Sequence, residues 1–150
     1  MAAALSADVE WTDPTCPVAR AVDLVGDRWI LLIIRDAMDG ASTFTDFHQR
    51  LGVARNILSD RLRRLVEHGI LSKEAQAVGK RHVYALTEAG EDLFIAIVAM
   101  RQWGERHAFS PEESHSSLVD RAGEPVPELQ LPATDGNPLT AATTHVRKVS

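Results

Sequence analysis

The most constraining stretch of this 150-residue chain is centred on Gly52. On its amino side, Thr43-Phe44-Thr45-Asp46 reads as a helix start, with Thr43 as the cap and Asp46 where the acid of a capping box belongs. Phe44, Phe47 and Leu51 give this short helix one apolar face. Gly52 can take the left-handed conformation that stops a helix, and Val53 leads into a further helix over residues 54–68. There Ile57, Leu58, Leu62, Leu65 and Val66 fall on one side, and Arg55, Asn56, Ser59, Asp60 and Arg63 on the other. Past Gly69, residues 70–77 and 82–86 read as strands around the turn Val78-Gly79-Lys80-Arg81. Two short helices pivoting on a glycine, followed by a basic hairpin, predict a winged helix-turn-helix.

The flanks extend this core. Residues 1–13 show no periodicity and read as a loose arm. Thr15-Cys16-Pro17 opens a helix running to about Met38, with Gly26 as a kink or break point. Thr87 is a candidate N-cap for a helix reaching about His107, whose run from Leu93 to Met100 is apolar on all sides. From Ser110-Pro111 the chain holds five of its seven prolines and a small repeat, Ala122-Gly123-Glu124-Pro125-Val126 and then Asp135-Gly136-Asn137-Pro138-Leu139. Short β-like pieces are expected near residues 117–120, 128–131 and 144–149. The expected class is α+β, mainly α: a winged helix-turn-helix over residues 14–109 with terminal dimerisation helices, and a small C-terminal β-hairpin appendage over residues 110–150.

Charge sharpens the functional expectation. The chain carries a net charge of −5, yet residues 50–82 hold eight Lys or Arg against three Asp or Glu, a local +5 that leaves −10 elsewhere. A basic block on an acidic chain is either a solvated face or the footprint of a nucleic-acid site. The helix-turn-helix favours the latter, because the second helix of that motif presents its N-terminal residues to base edges in the major groove. Arg55, Asn56 and Ser59 occupy that end, and arginine and asparagine pair bidentately with guanine and adenine. Arg63 lies two turns on, in reach of a base or phosphate. Lys80, Arg81 and His82 at the wing tip suit backbone phosphates, and Thr43 completes the DNA-contacting set.

Other classes fare worse. The apolar runs are far shorter than the roughly 20 residues of a membrane span, and the first ten residues lack the pattern of a signal peptide. One cysteine forms no intramolecular disulfide, and the six histidines show no metal-ligand spacing. P-loop, nucleophile-elbow and dinucleotide fingerprints are absent. A cytoplasmic, non-enzymatic protein without cofactor, metal or membrane partner is expected. Double-stranded DNA is the expected partner, and a winged-helix interaction module without specific DNA binding is the alternative. A thin winged core leaves apolar surface to cover, from Trp29, Ile30, Ile33 and Ile34 on the first helix and from Phe94, Ile97, Met100 and Trp103 on the last. Either a second copy covers it or the tail folds back over it. The symmetric dimer is the preferred expectation.

Several segments together resemble the HxlR-type transcription regulators, a branch related to MarR-like winged-helix proteins. They are Cys16-Pro17-Val18, Leu24-Val25-Gly26-Asp27-Arg28-Trp29, Phe44-Thr45-Asp46-Phe47, the run from Leu51 to Leu62, and Tyr84-Ala85-Leu86-Thr87-Glu88-Ala89-Gly90. Thr43 stands where the family commonly has arginine, and Ala54 where serine or threonine is common. The resemblance covers residues 16–109 and implies a homodimeric regulator, expected to be a repressor, that binds an inverted repeat, with first and last helices forming the dimer. It also implies a sensor. Cys16 falls at a helix N-terminus, where the dipole favours a thiolate, and related proteins use this cysteine to detect quinones, aldehydes or oxidants. The rival readings are a buried small hydrophobe at Cys16 and a small apolar effector held between the dimer helices.

Overall fold

The computed structural model describes residues 9–76 and 81–150. The elements run α1 (Pro17–Val25), α2 (Arg28–Met38), α3 (Phe44–Leu51), α4 (Arg55–Glu67), β1 (Leu71–Ala75), β2 (His82–Leu86), α5 (Glu88–Glu91) and α6 (Phe94–His107), with a 3-10 turn at Ala141–Thr143. The chain divides into two units, residues 1–95 and 96–150.

The first unit is a winged helix-turn-helix. The helix expected over residues 16–38 is two helices, because Asp27 takes an extended conformation and caps α2, accepting from the Trp29 and Ile30 N–H groups at 2.9 and 3.1 Å. The capping box at α3 forms as expected: Asp46 N–H donates to Thr43 Oγ1 at 3.1 Å, and the Asp46 carboxylate accepts from Thr43 N–H at 3.1 Å. Gly52 stands at φ 64°, in the left-handed region that favours glycine, so α3 stops and the chain turns into α4.

The core lies where α2, α3, α4 and β2 meet. Ile30, Ile33 and Ile34 of α2, Phe47 of α3, and Leu58, Leu62 and Leu65 of α4 are fully enclosed. Their i, i+3, i+4 and i+7 spacing is the inner stripe of each helix. Ile30, Ile33 and Ile34, read in the sequence as surplus to one thin core, are its centre. Each side chain of this size contributes about 1.5–3 kcal/mol through removal from water. The wing is an antiparallel pair in the register Leu71↔Leu86, Ser72↔Ala85, Lys73↔Tyr84, Glu74↔Val83 and Ala75↔His82. Two contacts tie it to the helices: Tyr84 N–H donates to Ser42 C=O at 2.7 Å, and the Phe47 and Tyr84 rings meet edge-on at 6.3 Å. The Val78-Gly79-Lys80 part of the expected turn lies outside the described residues.

Past the wing, the expected single helix is again two. Thr87 caps α5 through Gly90 N–H and donates to the Gly69 and Ile70 carbonyls. A Cβ on Gly90 would collide with the Ile70 carbonyl, so this close approach requires glycine. On the other flank, the end of the expected loose arm is fixed to α1. Thr12 N–H and Oγ1 donate to the Asp23 carboxylate at 2.9 and 2.8 Å, and the Arg20 guanidinium lies over the Trp11 ring at 4.6 Å.

In the second unit the tail runs along one face of α6. The Gln102 side chain donates to Pro127 C=O and accepts from Leu129 N–H, and Arg101 donates to Ser116 C=O at 3.1 Å. Val98 is buried on this face. The repeat seen in the sequence is a repeat in structure, with a period of 13 residues. Val126 N–H to Leu118 C=O is matched by Leu139 N–H to Leu131 C=O, and Asp120 N–H to Glu124 C=O by Ala133 N–H to Asn137 C=O. Each copy closes through one bridge, Val119↔Pro125 or Pro132↔Pro138. Residues 128–131 and 144–149, expected as β-like pieces, carry no strand.

Candidate nucleic-acid interface

Helix α4 starts at Arg55 with Ala54 as a cap that makes no side-chain hydrogen bond. Arg55, Asn56 and Ser59 are exposed on its first turns. Arg55 has no acidic partner among the described residues; its guanidinium lies 5.7 Å from the Phe44 ring centroid, and Phe44 in turn stacks on His48. This end of α4 therefore presents a free cation and an amide.

The following turns of the helix are electrostatically closed. The Asp60 carboxylate accepts from Arg63 at 2.7 Å and from Arg61 at 2.8 Å, and Arg63 also donates to Glu67 at 2.8 Å. Hydrogen bonds from Arg63 and then Arg61 hold the Asp60 carboxyl below its ordinary range, and Asp60 and Glu67 raise Arg63. Arg63, expected at DNA, is thus exposed but engaged on both sides.

Arg61, one residue after the paired Asp60, reaches across to Asp27, donating to its carboxylate at 3.1 Å while that carboxylate caps α2. Burial opposes the Asp27 charge, but Arg61 and the Ile30 and Trp29 N–H groups outweigh it and keep the carboxyl below its usual value. Asp27 in turn raises Arg61. This pair fixes α4 to the start of α2, and sequence reasoning did not find it. The Gly-Asp step before an apolar run was a legible cap signal for Asp27; its partner 34 residues away was not.

Thr43, Ser59, Arg81 and His82 line one cleft of about 350 Å³ together with Phe44, Thr45, Lys73 and Tyr84. Thr43 is half-buried and its Oγ1 serves the α3 cap. Arg81 and His82 are exposed where β2 begins, and Lys80 lies outside the described residues. Arg55, Asn56 and Arg63 are not among the residues lining the cleft.

The candidate sensor and dimer residues are placed as follows. Cys16 caps α1: its Sγ accepts from Ala19 N–H at 3.4 Å, and the side chain is partly exposed. Phe94, Met100 and Trp103 are exposed, the last at 60%, while Ile97 and Trp29 are half-buried. The tail covers the Val98, Arg101, Gln102 and Glu105 face of α6 and not the Met100 and Trp103 positions. Helix α1 buries no residue, and Val18 on it is 71% exposed.

The HxlR-like helix-turn-helix family matches residues 24–112, from the end of α1 through the wing and α6. The chain belongs to that family. It carries that family's helix-turn-helix. An HTH-type transcriptional regulator of Mycobacterium tuberculosis is 48% identical over 96 residues, 63% of this chain and 61% of its own length. The match thus spans about three fifths of that relative. Among solved structures, the transcription factor PA1607 is 49% identical with a TM-score of 0.86, covering 91% of this chain and 96% of its own. That coverage takes in residues outside the family match. The redox regulator HypR, in its reduced form, is 28% identical with a TM-score of 0.58, covering 62% of this chain and 94% of its own. Among the described residues no helix is long and apolar enough to cross a membrane.

Proposed function

We propose that the protein is a homodimeric repressor that reads an inverted repeat through the first turns of α4 and is released from DNA by a redox or electrophile signal. The observation that carries this reading is the exposed Arg55, Asn56 and Ser59 set at the start of α4, directly after the Gly52 turn and without an acidic partner among the described residues. Arg55 and Asn56 read base edges, Ser59, Arg81 and His82 contact the backbone, and Thr43 acts through the α3 cap. Residues 14–109 form the DNA-binding and dimerisation domain, and residues 110–150 an extension on α6. What supports a dimer is apolar surface left exposed among the described residues: Val18 and Val22 on α1, and Met100 and Trp103 on α6. What supports a thiol sensor is the partly exposed Cys16 at the α1 cap and the likeness to a protein named a redox regulator. The protein would act in the cytoplasm.

The test is selection of bound sequences from random duplex DNA with reduced full-length protein, repeated after diamide or quinone treatment. An enriched palindrome supports the dimeric reader, and its loss on treatment only where Cys16 is retained supports the thiol switch. Enrichment that survives treatment would move the signal to a ligand. No enrichment would replace the reading with a protein-interaction module.

A further inference from the structure

The cleft between the start of α3, α4 and the wing has a composition that the base-reading role does not require. Its lining brings Lys73, Arg81 and His82 together with the hydroxyl-bearing Thr43, Thr45, Ser59 and Tyr84, and among the described residues no carboxylate lines it. Of the acids that adjoin the lining in sequence, Asp46 is directed at backbone, its Oδ2 accepting from the Ser42 and Thr43 N–H groups, bonds that hold its carboxyl below the ordinary range, and Asp60 accepts from Arg61 and Arg63. On β1 the neighbouring Glu74 projects to the opposite face of the strand from Lys73. The cleft is therefore electropositive by construction, inside a chain whose net charge is −5.

It is also held in shape. Lys73 stands directly across the ladder from Tyr84 and lies 5.8 Å from its ring centroid, a cation–π contact that restrains an otherwise mobile side chain. Tyr84 is itself fixed, through its N–H to Ser42 C=O at 2.7 Å and its edge contact with Phe47. Ser59, on the cleft wall, follows Arg55 by one helical turn and shares its face of α4. An anion in the cleft therefore sits about one turn from the base-reading end. At about 350 Å³ the cleft exceeds a bare inorganic anion and has room for a phosphodiester with part of its flanking sugars.

The geometry points to a seat for one backbone phosphate of each DNA half-site, formed by the cleft with Lys73 as its fixed cation and Thr45 and Ser59 as hydroxyl donors. This rests on the DNA-binding reading above and adds to it a residue, Lys73, that the sequence offered only as one charge among eight. Phosphate contacts set register and orientation and carry no sequence information. Arg55 and Asn56 would then choose the bases while the cleft sets where on the duplex they are presented.

The experiment uses full-length protein and a duplex carrying the selected site. Affinity is measured across a salt series for wild type, Lys73→Gln and Lys73→Arg, and each is then scanned with duplexes bearing a single neutral methylphosphonate. Lys73 is exposed, so an unchanged unfolding midpoint for Lys73→Gln checks that the fold is intact. The expected result is weaker binding by the same factor on specific and unrelated duplexes, with the log–log salt slope lower by about 0.9 for each phosphate that Lys73 would otherwise neutralise. Lys73→Arg restores the slope. One methylphosphonate position per half-site that weakens wild type several-fold leaves Lys73→Gln indifferent. A salt-dependent wild type with an unchanged slope and an unchanged scan in Lys73→Gln overturns the seat and leaves the DNA reading standing. A wild type with no salt-dependent DNA binding overturns both.

Discussion

The first turns of α4 and the turns that follow them use the same side-chain chemistry to opposite ends. Arg55 at the start meets an aromatic ring and no carboxylate among the described residues. Arg61 and Arg63, two turns on, are saturated by Asp60, Asp27 and Glu67. The difference is one of placement. Carboxylates at positions 60 and 67 sit three or four residues from arginines, the spacing at which helical side chains meet, and no acid lies within four residues of Arg55. Counting arginines therefore overstates the surface open to DNA. Part of the basic block is paired with acids inside the domain, and among the described residues a smaller part is left without one.

Removing Arg55 gives the largest expected effect on function. Arg55→Ala should lose about 1–3 kcal/mol on the preferred sequence, the range for a bidentate base contact, while binding to unrelated duplex changes little. Competition titrations measure both. Equal loss on every sequence would place Arg55 on phosphate and erase the contrast between the two parts of the helix.

Breaking the Asp27–Arg61 link comes next. Arg61→Ala should cost about 1–2 kcal/mol of folding stability, the scale of a hydrogen bond to a charged group, discounted because both side chains keep some exposure. The sign for pH follows from the lowered Asp27 carboxyl. Its contribution is complete above the ordinary aspartate value of 3.8 and is lost as the pH falls through the lower folded value. Denaturant titrations of wild type and Asp27→Asn at neutral and acid pH should converge at the acid end. A constant gap would mean that the pair contributes nothing through charge.

His68 at the end of α4 offers a smaller, pH-dependent effect. Burial lowers its pKa from 6.5, Arg64 adds to that, and Glu67 opposes it, while Nδ1 is enclosed without a partner among the described residues. The unfolded chain thus holds more protons than the folded one between the lowered value and 6.5, and stability should fall as the pH drops through that window. Unfolding midpoints across it should slope for wild type and flatten for His68→Phe. A slope that persists belongs to another group.

Arg63→Ala should change least. Its partners are exposed pairs of the kind that contribute little, so the unfolding midpoint should stay within error and sequence preference should remain. A marked loss of specificity would mean that Arg63 leaves Asp60 and Glu67 for DNA.

Local signals carried much of this structure in the sequence. The Thr43–Asp46 box, Gly52, the inner stripe of α4 and the paired turns at Gly123 and Gly136 each act within a few residues, and each is where the sequence put it. Long-range events were not legible. The Arg61 reach to Asp27 needs the packing of α2 on α4, and Lys73 gains its place only from the strand register opposite Tyr84. The tail was legible in its turns and not in its strands. Pro125 and Pro138 occupy the bridge positions and have no N–H to extend a ladder, so each hairpin stops at one bridge.

The most direct measurement is the ratio of affinities for the selected site and an unrelated duplex, taken for wild type, Arg55→Ala and Arg61→Ala at one salt concentration. The account predicts that the ratio collapses for Arg55→Ala and is largely kept by folded Arg61→Ala. A preserved ratio in Arg55→Ala, with collapse in Arg61→Ala instead, would contradict the division of α4 into a reading end and a structural end.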